Sequence, residues 1–310
     1  MTPRILLTGK NGQIGSDFCR LLPVLGIFAF DRSRLDLADL RAVRRTVQEV
    51  RPDLIVNTAA YNAVDRAESE SSAAHAVNAD APAVLAEECR KLGAAIVHYS
   101  TDYVFDGAKR TPYLETDAPA PAGVYGKSKL AGELAIRASG VPHLIFRTAW
   151  VYAPQGRNFL LTVLRLATER HELRVVNDQI GAPTWSREVA DATIRILHPF
   201  AAERFRSAAF AGVSGTYHMT AAGEASWYQF AAAILEETSS HRPAPPWLVA
   251  AAGGQPIVAS RVLPITTAEY PTPARRPPYS VLSNDRLRQT FGVQLPHWRD
   301  QLRKAFESGE

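Results

Sequence analysis

A tyrosine and a lysine four residues apart, Tyr125 and Lys129, carry the sharpest chemical signal in the sequence. In a helix that spacing puts both side chains on one face, a turn from each other. A lysine ammonium held there favours the phenolate and draws the tyrosine pKa down from about 10 toward the working range. Such a tyrosine can give a proton to a carbonyl oxygen or take one from an alcohol. Upstream, Tyr99-Ser100-Thr101-Asp102-Tyr103-Val104-Phe105 closes an apolar run, and the Thr101 hydroxyl can be offered to the same oxygen. These are the parts for reducing a ketone with hydride from a nicotinamide, given a dinucleotide site. A surface ion pair would explain the Tyr-Lys spacing alone, but not its place behind a strand that ends in Ser-Thr.

The elements that must position these groups follow from the apolar rhythm. Arg4 to Thr8 reads as a strand, followed by Gly9, Gly12 and Gly15 and then a helix carrying Phe18, Leu21 and Leu22. Glycines at that spacing between strand and helix permit a tight turn and bring backbone N–H groups close to a pyrophosphate. A second strand, Gly26 to Phe30, ends in Asp31-Arg32. Acid at this tip suits an adenosine ribose, whereas the Arg32 and Arg34 guanidiniums suit a 2′-phosphate, so the residues leave the choice of cofactor open. Asp39 to Val50 predicts a helix, Leu54 to Asn57 a third strand, and Val64 onward an alanine-rich helix through Asn78 and Leu92. Asn78 could bond a neighbouring backbone or face solvent. Ala95 to Ser100 predicts the fourth strand, residues 111–123 a lid-like connector, Lys127 to Ser139 a helix and Leu144 to Thr148 a fifth strand. Strand and helix alternate as in a doubly wound parallel sheet of the Rossmann type.

After Tyr152 the rhythm loosens. Helices are expected over 158–170, 188–197, 227–237 and 284–291, a strand near Val175, and a stiff proline-rich stretch over 264–278. Its arginine pair, Arg275-Arg276, could grip a phosphate. We therefore expect residues 1–152 to form the dinucleotide-binding part, with a return segment at about 181–215. Residues 153–310 should form a smaller, discontinuous substrate-binding part.

Composition narrows the class. With 310 residues, 46% hydrophobic and 21% charged, the chain is that of an ordinary globular protein of one large or two joined domains. Its net charge of +4 comes from scattered Lys and Arg with no clustered stripe, so no nucleic-acid surface is expected, and a mild positive excess suits anionic small substrates. Cys19 and Cys89 lack partner spacing and read as reduced thiols of a cytoplasmic protein. The eight histidines show no metal-ligand spacing, so no metal is assigned. Neither a leader nor an apolar run long enough for a membrane is expected.

Several longer stretches are more specific. Gly9 to Gly15, Asn57-Thr58-Ala59-Ala60-Tyr61-Asn62-Ala63-Val64-Asp65, His98 to Phe105 and Val124 to Glu133 resemble the extended short-chain dehydrogenase/reductases. So do Phe146 to Tyr152 and Asn177-Asp178-Gln179-Ile180-Gly181-Ala182-Pro183-Thr184. Within them the chain resembles the branch that acts on dTDP-4-dehydrorhamnose. The resemblance covers nearly the whole chain and implies reduction of the C4 ketone of dTDP-4-dehydro-β-L-rhamnose, the last step toward dTDP-β-L-rhamnose. NADPH is the implied hydride donor, with NADH an alternative. It makes Tyr125 the proton donor, Lys129 the group that lowers its pKa and holds the nicotinamide ribose, and Thr101 the group that orients the ketone. Asp102, Tyr103 and Trp150 would contact the sugar, and Arg276 would lie near the diphosphate. Gly12, Gln13, Ile14, Asp31, Asp36, Leu37, Ala60, Tyr61, Asn62 and Tyr99 would contact the cofactor. Two positions depart from the pattern. Asn62 stands where threonine is usual, and the helix after Pro183-Thr184 begins Trp185-Ser186-Arg187-Glu188. Some members pair through magnesium held by acids in that helix; the early arginine leaves a homodimer open and no metal assigned. A related nucleotide-sugar reductase or epimerase, or a non-catalytic NADP-binding subunit, are the rival readings.

Overall fold

The apolar runs of the first half form strands, most of whose hydrophobic side chains find cover on both faces. In the computed structural model these strands are β1 (Arg4–Thr8), β2 (Gly26–Phe30), β3 (Leu54–Asn57), β4 (Ala95–Thr101) and β5 (His143–Thr148). Later come β6 (Glu172–Val176), β7 (Gly215–His218) and β8 (Arg261–Ile265). The structure describes residues 2–22, 26–210 and 212–308; position 211 of the expected return segment lies outside them. Six strands make one parallel sheet in the order β7-β5-β4-β3-β1-β2. The other two, β6 and β8, pair parallel to each other elsewhere.

Helices α1 (Gln13–Leu21), α2 (Leu40–Val50), α3 (Ala81–Leu92) and α4 (Val124–Ala138) return the chain between strands. The second half adds α5 (Phe159–Glu169), α6 (Ser186–Ala201), α7 (Trp227–Ser240), α8 (Pro246–Ala251), α9 (Asp285–Phe291) and α10 (Trp298–Glu307). Alternation along the strands divides the core. Ile5, Leu7, Val56, Val97 and Phe146 face one side with Phe18 of α1 and Val189 and Ile196 of α6. Leu6, Ile55, Ile96 and Ile145 face the other with Val43, Val47, Leu85 and Ile136. A separate core joins Leu160 and Leu164 of α5, Phe230 and Ile234 of α7, and Trp298, Leu302 and Phe306 of α10.

Two expectations change. The alanine-rich stretch is not one helix. It breaks into Val64–Ala67, Ser71–His75, a π-helical turn over Ala76–Asp80, and α3. The wide turn turns Asn78 inward, where its amide accepts from Tyr61 N–H at 2.8 Å and donates to Tyr61 C=O at 3.1 Å and Ser128 Oγ at 3.0 Å. Helical period alone does not reveal such a turn. Helix α4 also starts earlier than expected, at Val124, where Glu68 Oε1 accepts the Val124 N–H at 2.9 Å. Tyr125 thereby sits in its first turn.

Candidate active site

At the carboxyl end of β1 the chain turns through Gly9, whose φ is +73° and whose missing Cβ would lie 2.8 Å from Ala59 N. A Cβ on Gly15 would collide with the Gly9 carbonyl oxygen, so both glycines are needed to seat α1 against the strand end. The first turn of α1 carries no acidic side chain, which leaves its positive dipole end free for an anion. Asp31, at the tip of β2, accepts from Ser33 Oγ at 2.6 Å and Arg34 N–H at 3.1 Å and pairs with Lys10 at 3.3 Å. The Ser33 bond and these neighbours hold its carboxyl down at about 2. Arg32 reaches Asp36 at 3.4 Å and the Arg34 guanidinium lies over the Phe30 ring.

β4 delivers Thr101 to the sheet edge, buried, with its Oγ1 donating to Asp102 Oδ1 at 3.0 Å and accepting from Tyr103 N–H at 3.2 Å. Burial pushes the Asp102 carboxyl up to about 6, with the Ser280 and Thr101 hydroxyls drawing it partly back. Tyr125 stands edge-on to Tyr103, ring centroids 5.8 Å apart, and its hydroxyl lies 3.5 Å from Asn62 Oδ1. Lys129 is buried. Its Nζ donates to the Tyr99 carbonyl at 2.5 Å and lies 3.5 Å from His98 Nε2, a ring held in turn by Asn57 at 3.0 Å.

Here the expected electrostatics are corrected. Burial pushes the Tyr125 hydroxyl up to about 12, the Thr101 bond countering only in part. The lysine does not draw it down, because its ammonium is directed at the Tyr99 carbonyl. Burial also lowers Lys129 to about 8, with Glu133 one turn along α4 opposing the fall. A tyrosine protonated at neutral pH is the form that a proton donor needs.

A cleft of roughly 1170 Å³ runs along this edge. Its lining brings together Gly12, Gln13, Ile14, Ala60, Asn62, Tyr99, Thr101, Asp102, Tyr103, Tyr125, Lys129, Trp150 and Arg276. Gly9, Gly15, Asp31, Arg32, Asp36, Leu37 and Tyr61 are not in that lining. The two glycines lie beneath the turn, the Tyr61 hydroxyl is bonded to Glu70 at 2.5 Å, and the other four cluster past the end of β2. Arg276 is paired with Asp65 at 2.9 Å. Sequence reasoning did not single out the Ser100 and Thr148 hydroxyls, which line the cleft buried and without a partner among the described residues. Nor did it find Trp227, Gln179 or the arginines Arg157, Arg165, Arg170 and Arg174 along the far wall. Only the doublet Ser100-Thr101 carried a local signal. Orphaned hydroxyls, the glycine cradle and the uncompensated helix end fit a polar, anionic dinucleotide.

The family model described as the RmlD substrate binding domain matches residues 3–310. A dTDP-4-dehydrorhamnose reductase of Burkholderia thailandensis is 50% identical over 297 residues, covering 96% of this chain and 95% of that one. Its counterpart in Escherichia coli is 43% identical, covering 95% and 94%. Among solved structures, the dTDP-4-dehydrorhamnose reductase of Bacillus anthracis in complex with NADP superposes with a TM-score of 0.86. It is 34% identical and covers 99% of each chain.

Proposed function

The chain belongs to the RmlD substrate binding domain family, and on that premise we propose that it carries out the dTDP-4-dehydrorhamnose reductase reaction. It is an oxidoreductase that reduces the C4 ketone of dTDP-4-dehydro-β-L-rhamnose to dTDP-β-L-rhamnose, with NADPH as hydride donor and NADH an alternative. The observation that carries this reading is the convergence of Thr101, Tyr125 and Lys129 on one cleft with the Gly12 turn. The nicotinamide, when bound, supplies the hydride. The Thr101 hydroxyl, on exchanging its bond to Asp102, would donate to the ketone oxygen and orient it. Tyr125, held protonated by burial, gives its proton to that oxygen as negative charge grows there. Lys129, charged below about pH 8 and directed at the Tyr99 carbonyl, would hold the nicotinamide ribose. The cradle formed by Gly12, Gln13 and Ile14, with Ala60, Asn62 and Tyr99, would hold the cofactor, and Asp31 and Arg32 would meet its adenosine end. Asp102, Tyr103 and Trp150 would line the sugar subsite. For Arg276, the pairing with Asp65 makes a diphosphate contact conditional on exchanging that carboxylate. We assign residues 1–152 with the later return segment to cofactor binding and most of 153–310 to substrate binding. We place the enzyme in the cytoplasm and propose a homodimer, for which sedimentation of the holoenzyme gives the mass.

The test is loss of reduced-nicotinamide absorbance on adding enzymatically made dTDP-4-dehydrorhamnose, with dTDP-rhamnose identified as product. Tyr125→Phe should lower turnover by roughly 10²–10⁴-fold while NADPH binding is kept. Near-normal turnover in that variant would remove Tyr125 from the mechanism. A product formed with no net cofactor consumption would point to an epimerase.

A further inference from the structure

Trp150 has a φ of 49°, a left-handed conformation that a bulky residue keeps only where its surroundings over-determine it. Here both main chain and ring are held. The Thr184 N–H donates to the Trp150 carbonyl at 3.3 Å. The indole lies flat on that of Trp227, ring centroids 3.4 Å apart and planes within 4°, closer and more nearly parallel than aromatic pairs ordinarily pack. Gly181 passes so near the Trp150 ring that a Cβ there would collide with it. Gly181 and Trp227 are set by one small antiparallel ribbon, in which Gly181 pairs with Ala225 and Ile180 with Ser226. Ser226 caps α7 reciprocally with Gln229, fixing Trp227 as its first residue. Phe159 also packs on Trp227, ring centroids 4.5 Å apart.

We propose that Trp227 is a positioning residue for the nucleotide sugar, clamping the Trp150 indole into the cleft wall and thereby setting the sugar's affinity. This rests on the reductase reading and on Trp150 standing in the sugar subsite. Without the flat partner one face of the Trp150 ring is uncovered, with Gly181 left against it, and binding must reorder it. The loss then falls on KM for the sugar, because Thr101, Tyr125 and Lys129 are carried by other elements.

Steady-state kinetics on the holoenzyme separate the cases. Trp227→Leu keeps bulk but not a flat face, and should raise KM for dTDP-4-dehydrorhamnose roughly fivefold to tenfold, the worth of an aromatic pair. Its kcat and NADPH affinity should stay within about twofold. Trp227→Phe should keep most of the affinity, and adding Trp227→Leu to Trp150→Ala should cost nothing further. A raised KM in Trp150→Ala with a normal KM in Trp227→Leu overturns the clamp, as do effects that multiply in the double variant. A normal KM in Trp150→Ala overturns the placing of Trp150 in the sugar subsite, and the clamp with it. Near-ultraviolet circular dichroism supplies a check that needs no substrate, since Trp150→Phe and Trp227→Leu should abolish the same stacked-indole signal. A signal that persists in Trp227→Leu overturns the clamp even if the reductase reading itself has failed.

Discussion

Desolvation by the surrounding protein pushes the Tyr125 hydroxyl up to about 12, and the same cause brings Lys129 down to about 8. The first group to change charge above neutrality is therefore the lysine. The pH profile of kcat/KM should fall above about pH 8, and Lys129→Met should retain a small activity without that inflection. An inflection that survives the substitution would assign it elsewhere. Asp102 acts on stability instead. Its carboxyl titrates at about 6 in the folded chain against an ordinary 3.8, so the folded state binds the proton more tightly. Its contribution to stability is complete below the ordinary value and is lost as pH rises through 6. Asp102→Asn should remove that loss, so relative to the parent the variant gains about 2–3 kcal/mol between pH 4 and pH 8. Denaturant melts at the two pH values measure the difference, and equal gaps at both would show that Asp102 titrates normally. The places of Thr101 and Tyr125 in the cleft were legible because their neighbours in sequence are also their neighbours there. Trp227 was not, since a stacked pair contributed by a strand end and a distant helix start leaves no spacing to read.

At the scale of elements, α4 and β5 are locked by a buried ion pair. Arg147 Nε and Nη2 donate to the two Glu133 oxygens at 2.9 and 2.7 Å, with both side chains at 1% exposure or less. Glu133 also faces Lys129 electrostatically, so the pair that docks the helix also bears on the charge of the lysine. Removing one partner strands the other in low dielectric. Glu133→Leu alone should cost about 3–5 kcal/mol, whereas the double change with Arg147→Met should recover much of it. Chemical denaturation of the three variants decides the matter, and additive losses would argue against a shared site. Strands β1, β2 and β3 were readable because each is a short apolar run between turn residues. β7 was not, since Gly215–His218 acquires its place only by pairing with β5. α10 also escaped notice, because Trp298, Leu302, Ala305 and Phe306 form a narrow apolar stripe in a highly charged segment.

Over the whole molecule, the cleft lies where the sheet's carboxyl edge meets the core built from α5, α7 and α10, and a few side chains stitch the two together. Gln13, in the first turn of α1, donates to the Val151 carbonyl at 3.3 Å and accepts from Asn158 Nδ2 at 2.9 Å. Asn158 in turn caps α5, accepting the Leu161 N–H at 3.1 Å. Gln155, in the same connection, bonds Ser16 and Arg20 of α1, each at 2.5 Å. The turn that would hold the cofactor's phosphates is thus tied to the helix that walls the far end of the cleft. Ordering one side should lower the cost of ordering the other, and by linkage the effect must be reciprocal. NADP⁺ should therefore tighten binding of dTDP-rhamnose by about fivefold or more, and the sugar should tighten NADP⁺ by the same factor. Gln13→Ala cuts the stitch at its centre and should shrink the coupling toward unity in both directions, beyond any loss in cofactor affinity alone. Calorimetric titration of each ligand with and without the other gives the four constants. A coupling that survives in Gln13→Ala would mean that the two ligands communicate through direct contact in the cleft instead of through the α1–α5 connection.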